Sequence, residues 1–156
     1  MKPNAPTSSP TSATVPVLDA AAIERALRRI SHEIIERNPD LGSVILAGIP
    51  SRGVEIARRL TAIIQSLGGV VVPTGAIDIS MHRDDVGTRR ELPRVQASTL
   101  PLPLEGKTLI IVDDVFYTGR TARAAMDAIS SFGRPSRIRR PGPAHHRGGW
   151  RFASRR

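Results

Sequence analysis

Val112-Asp113-Asp114-Val115-Phe116-Tyr117-Thr118-Gly119-Arg120-Thr121 is the stretch on which the reading of this chain turns. It continues Thr108-Leu109-Ile110-Ile111, an apolar run without polar alternation, the pattern of a strand buried on both faces of a parallel sheet. Beyond it, Ala122, Ala125, Met126 and Ile129 are expected to face inward on a helix that Gly133 stops. Two carboxylates therefore leave the end of a buried strand just before Thr118-Gly119-Arg120-Thr121 opens a helix. Backbone N–H groups at a helix N-terminus have no intrahelical partner and the macrodipole favours an anion there, so a phosphate fits that turn. Gly119 lets the backbone approach closely, and Thr118 and Thr121 add hydroxyl donors. Asp113 and Asp114 are acceptors suited to the vicinal hydroxyls of a ribose or to a hydrated Mg²⁺.

Working outward, the same strand, loop and helix sequence occurs earlier. Val44 to Ile49 reads as a second buried strand, and a loop at 50–53 leads into a helix with Val54, Ala57, Leu60, Ile63 and Ile64 inward and Gly68-Gly69 as its stop. Ahead of it, Asp19 is the expected N-cap of a first helix, stapled by Leu18 against Ile23. Its stripe is Ile23, Leu27, Ile30 and Ile34, and it ends before Pro39. Residues 70–72 and 76–81 read as further strands, and the polar, proline-punctuated segment 83–103 as a long mobile loop. Alternating strands and helices imply an α/β fold on a parallel sheet, with ligands at the C-terminal strand ends.

The chain has 156 residues, enough for one domain and too few for two ordinary ones. It has no cysteine, which excludes disulfides, a thiolate nucleophile and Cys-based metal sites. No stretch approaches a membrane span or a secretory signal, so a cytoplasmic protein with no membrane partner is expected. Residues 1–16, rich in Pro, Ser and Thr, read as a disordered leader. The net charge of +9 invites a nucleic-acid reading, but six of those charges are Arg139, Arg140, Arg147, Arg151, Arg155 and Arg156, leaving +3 for the rest.

The stretch 112–121 resembles the signature of the type I phosphoribosyltransferases: apolar strand, two acids, then a Thr-Gly turn into a helix. A receiver domain also sets acids after an apolar strand, but near its first strand and without the Thr-Gly-Arg-Thr turn. Closer still is the resemblance to the bifunctional pyrimidine operon regulators that also act as uracil phosphoribosyltransferases. It rests on residues 28–33, on Gly48-Ile49-Pro50-Ser51-Arg52-Gly53, on residues 77–85, on the main motif and on Gly133-Arg134-Pro135. Ser51 stands where Thr is commoner and His82 where Tyr is commoner.

The resemblance implies transfer of phosphoribosyl from 5-phosphoribosyl diphosphate to uracil, giving UMP, with Mg²⁺ bound through the donor diphosphate and no direct metal ligand from the protein. It implies that Ser51 and Arg52 hold the diphosphate, with Arg83 reaching in from the loop, and that Asp113, Asp114, Val115, Phe116, Tyr117, Thr118, Gly119, Arg120 and Thr121 hold the ribose phosphate. Asp113, Asp114 and Arg52 are the expected catalytic residues. It also implies a homodimer or higher homo-oligomer, and UMP-dependent binding of the pyrimidine operon leader mRNA. Candidates for RNA contact are Arg25, Arg28, Arg29 and His32, which share one side of the first helix. The alternative is a solvated face neutralised by Glu24, Glu33 and Glu36. An attenuator without catalysis, a transferase for another base and an inactive remnant are the other readings.

After Ile138 the resemblance breaks. The family continues with a buried strand and the segment that completes the base pocket, where this chain reads Arg139-Arg140-Pro141-Gly142-Pro143. Two prolines and a glycine bar a central strand. Codons for residues 141–146 can encode an apolar run when shifted by one base. The expectation is therefore a domain over 17–138 lacking its C-terminal strands, and a disordered basic tail over 139–156 produced by a frameshift or truncation.

Overall fold

The computed structural model describes residues 19–50, 52–80, 97–114 and 119–140. A parallel four-stranded sheet forms its centre: β1 (Val44–Gly48), β2 (Thr74–Ala76), β3 (Thr108–Val112) and β4 (Arg137–Arg139), in the order β2-β1-β3-β4. Helices α1 (Ala20–Arg37), α2 (Arg52–Gly68) and α3 (Arg120–Ser130) cover it. The sequence expectation of an α/β parallel-sheet fold holds. Every residue of β1 and β3 is buried, the pattern of strands covered on both faces.

Because side chains alternate along a strand, β1 and β3 feed two separate cores. Ile45, Ala47, Leu109 and Ile111 join Ala124, Ala125, Ala128 and Ile129 of α3 on one face. Val44, Leu46, Ile110 and Val112 join Ala57, Leu60 and Ile64 of α2 and Leu27 and Ile34 of α1 on the other. The helix that follows β1 thus lies opposite the helix that follows β3. Strand order reverses at the same place, which makes the C-terminal ends of β1 and β3 the switch point of the sheet.

Several local expectations are met. Asp19 caps α1, its carboxylate accepting from Ala22 N at 2.6 Å; Leu18, its proposed staple partner, lies outside the described residues. Gly69 (φ +68°) ends α2 in the left-handed conformation. Others are corrected. Ile23 is exposed at the first turn of α1, outside the core that Leu27 and Ile34 enter. Residues 70–72 are not a strand: Val71 is 60% exposed, while Val72 is buried with its carbonyl held by Thr61 Oγ1 at 2.9 Å. Pairing starts at Thr74 instead, because Pro73 has no N–H to give but its carbonyl accepts from Leu46 N at 2.9 Å.

The expected strand 76–81 ends at Ala76. Asp78 Oδ1 takes Ser80 N at 2.8 Å and also the Ser80 hydroxyl, a local turn that competes with the ladder. The later part of the expected loop 83–103 is fixed, since Thr99 pairs antiparallel with Ala76. Residues 81–96 lie outside the described residues. On α3 the buried face is Ala124, Ala125, Ala128 and Ile129, with Ala122 and Met126 only half-buried, and the helix ends at Ser130, ahead of Gly133.

Past Ile138 the chain stays in the sheet for one more residue. Arg139 completes β4 and is buried, its Nη1 donating to Arg37 O at 3.0 Å and to Asn38 Oδ1 at 2.9 Å. Burial first, then Arg137 and Arg37, lowers its pKa below the ordinary arginine value. The side chain ties edge strand β4 to the end of α1. No helix among the described residues is long and apolar enough to cross a membrane. Arg139→Ala is expected to lower stability by about 1–3 kcal/mol, the range for charged hydrogen bonds left unmade, measured as a reduced urea midpoint at unchanged m.

Candidate active site

The site grows from the switch point. Ile49 N, just past β1, donates to the carbonyl of Val112 at 2.8 Å, and Ile77 N donates to Gly48 O at 2.9 Å. The chain then turns into α2 so tightly that a Cβ on Gly53 would overlap the Val112 carbonyl oxygen and lie 3.2 Å from Asp113 Cα. Only glycine permits that approach. Arg52, the first residue of α2, is consequently held beside the end of β3, and its Nη1 lies 3.4 Å from Asp114 Oδ2. Its side chain is 82% exposed, against 35% for Asp114.

Asp113 accepts from the backbone N–H of Asp114 at 2.9 Å, which orients its carboxylate at the strand end. Gly119 (φ +78°) is the N-cap of α3, in a backbone conformation that favours glycine, and having no side chain it makes no side-chain cap. The N–H groups of a helix's first turn have no intrahelical partner, the arrangement that binds anions. Arg120 is exposed there and Thr121 half-buried. Two carboxylates and a guanidinium thus share the C-terminal ends of β1 and β3, and the helix start at Gly119 follows them in the chain. Such a set suits a ligand carrying hydroxyls between two anionic groups.

Of the expected site residues, the described chain brings Arg52, Asp113 and Asp114 together, and Gly119, Arg120 and Thr121 open α3. Ser51, Arg83, Val115, Phe116, Tyr117 and Thr118 lie outside the described residues. Among those described, no group of three or more His, Asp or Glu could hold a metal ion. Arg25, Arg28, Arg29 and His32 are exposed on α1, on the side away from buried Leu27, Ser31 and Ile34. Two of the three acids weighed as their partners are engaged elsewhere. Glu24 binds Arg59 of α2 at 3.0 Å and Glu33 binds Arg37 at 3.1 Å, leaving exposed Glu36.

Sequence reasoning gave Gly53 no part beyond the loop motif, and its close approach appears only once β1 and β3 are aligned. It also missed a clasp near the ends of β1 and β2, where Asp78 N donates to Ser98 Oγ at 2.9 Å. The Asp-x-Ser spacing of Asp78 and Ser80 is a turn signal that could have placed the end of β2.

A sequence profile described as the phosphoribosyl transferase domain matches residues 16–139. The chain belongs to this family. It is 52% identical over 122 residues to "Bifunctional protein PyrR" of Chloroflexus aurantiacus, an alignment covering 78% of this chain and 67% of that protein. Proteins of the same name from Roseiflexus sp. and Enterococcus faecalis are 49% and 50% identical over 122 residues, covering 78% of this chain and 67% and 68% of theirs. Among solved structures, purine phosphoribosyltransferase from Pyrococcus horikoshii Ot3 shares the fold, with a TM-score of 0.52 and 23% identity over 79% of this chain and 72% of that one.

Gly53→Val is expected to force the loop after β1 away from Val112. Stability should fall by about 1–3 kcal/mol, as for other overpacked sites, and the Arg52–Asp114 contact should be lost. Thermal melting and the side-chain NMR resonances of Arg52 check the two effects separately.

Proposed function

We propose that this chain transfers the phosphoribosyl group of 5-phosphoribosyl diphosphate to uracil, giving UMP and diphosphate, and that with UMP bound it attaches to the leader mRNA of pyrimidine operons and attenuates transcription. The observation that carries the catalytic half is the juxtaposition of Arg52 with Asp113 and Asp114 at the switch point, ahead of the glycine N-cap of α3. Relatives about 50% identical carry the name "Bifunctional", in keeping with one chain that has two tasks.

In this reading the 5-phosphate sits on the backbone N–H groups and hydroxyls of Thr118 to Thr121. Asp113 and Asp114 accept from the ribose hydroxyls, and Ser51, Arg52 and Arg83 hold the diphosphate, with Val115, Phe116 and Tyr117 also binding the donor. The bond from C1 of the ribose to the diphosphate oxygen breaks, uracil N1 bonds to that carbon, and its proton leaves. Positive charge develops on the ring while negative charge gathers on the leaving group, so the protein contributes mainly position and electrostatics. Asp113 and Asp114 face the first charge and Arg52 the second. Mg²⁺ arriving with the donor would supply further neutralisation of the leaving diphosphate. The two carboxylates, taken up by the ribose hydroxyls, do not make a complete ligand shell for it.

The regulatory half is supported by the basic side of α1. With Glu24 and Glu33 drawn to Arg59 and Arg37, the arginines at 25, 28 and 29 present cationic groups to RNA phosphates, and His32 a further hydrogen-bonding group. We place the reaction in the cytoplasm, where the donor and the operon transcripts occur together, and expect a homodimer or higher homo-oligomer.

Two measurements test this. Formation of UMP from uracil and 5-phosphoribosyl diphosphate with Mg²⁺ should fall roughly 10²-fold in kcat/KM for Arg52→Ala, a typical loss when one charge-stabilising donor is removed; absence of UMP in the unsubstituted chain contradicts the catalytic half. Replacing Arg25, Arg28 and Arg29 together by Ala should weaken leader-RNA binding and reduce the log–log salt slope by about 2. The same change at Arg58, which is paired with Glu55, should leave RNA affinity unaltered; an equal loss there contradicts the α1 assignment.

A further inference from the structure

The two groups assigned to different parts of the donor are also partners of one another. Arg52 Nη1 lies 3.4 Å from Asp114 Oδ2. The backbones that carry them are fixed together, since Gly53 rests against the Val112 carbonyl and Ile49 N donates to that same oxygen at 2.8 Å. Asp114 is consequently the carboxylate within reach whenever Arg52 is not engaged by a ligand. The guanidinium is mostly in solvent, so it can leave Asp114 without disturbing the core.

We propose that Asp114 is a positioning residue for Arg52, and that their pairing discriminates the complete donor from free inorganic diphosphate. The inference rests on the reading of the site given above. Inorganic diphosphate draws Arg52 away from Asp114 and offers that carboxylate nothing in exchange. The donor takes Arg52 with its diphosphate and in the same event donates ribose hydroxyls to Asp114. Diphosphate that meets the site without a ribose lacks this compensation and competes with Asp114 for Arg52. The pair therefore favours the intact donor over free diphosphate. An ion pair this exposed is weak, so the discrimination amounts to about two- to five-fold in affinity. Added salt reduces it.

The test is calorimetric titration of the full chain with magnesium diphosphate, alongside Asp114→Asn and Asp113→Asn. Each variant removes one negative charge from the strand end, but only the first removes the partner of Arg52. Asp114→Asn should bind magnesium diphosphate about two- to five-fold more tightly, and Asp113→Asn should show no such gain. An equal gain in both variants reduces the effect to net charge and overturns the proposal, as does no gain at position 114. Asp114→Ser makes the same comparison if the Asn variant fails to fold. Failure of the unsubstituted chain to bind magnesium diphosphate overturns the assignment of the site and the pair with it, whereas binding without a gain at 114 overturns the pair alone.

Discussion

A side chain at position 53 would occupy the space of the Val112 carbonyl oxygen, so the loop after β1 can cross the end of β3 only as glycine. Everything at the crevice depends on that crossing. It sets the first turn of α2 against the last residue of β3, and the parallel register of Gly48 with Val112 places both strand ends level. Arg52 and Asp114, 62 positions apart in the chain, become neighbours through backbone constraint and not through side-chain choice.

The two cores explain why the crevice is open. α2 packs on the face formed by Val44, Leu46, Ile110 and Val112, and α3 on the face formed by Ile45, Ala47, Leu109 and Ile111. With the helices departing in opposite directions, neither covers the gap between the strands, and both present helix starts toward it. A guanidinium and two carboxylates then meet at one place. A ribose bearing phosphate at one end and diphosphate at the other is the ligand we propose for them.

The parts of this architecture that the sequence discloses are those in which local pattern and tertiary environment agree. β1 and β3 are uninterrupted apolar runs and are buried throughout. The turn at Gly119 is legible because a residue with positive φ before a helix calls for glycine. Where the two levels diverge, the reading failed. Val70, Val71 and Val72 look like a strand but serve as a connector, and Thr74-Gly75-Ala76, with no apolar signal, pairs because Thr99 and Leu46 supply its partners. Arg139 reads as the start of a disordered basic tail, yet it is buried with hydrogen bonds to the end of α1, a partner about 100 residues away that no local window contains. On α3 the alanines at 122, 124, 125 and 128 blur the helical period, so the buried face was misplaced by part of a turn.

For the site, the residue types and their order were readable, and the pairings were not. Nothing in the spacing says that Glu24 meets Arg59, or that Arg52 meets Asp114, since both depend on how α2 packs. The central claim is that the start of α3 holds a sugar phosphate. Titration of isotope-labelled protein with ribose 5-phosphate, followed by amide NMR, tests it most directly. The account predicts that the largest shifts fall on Gly119, Arg120 and Thr121 and vanish in Gly119→Val. Saturable binding that leaves those three amides unmoved would contradict it.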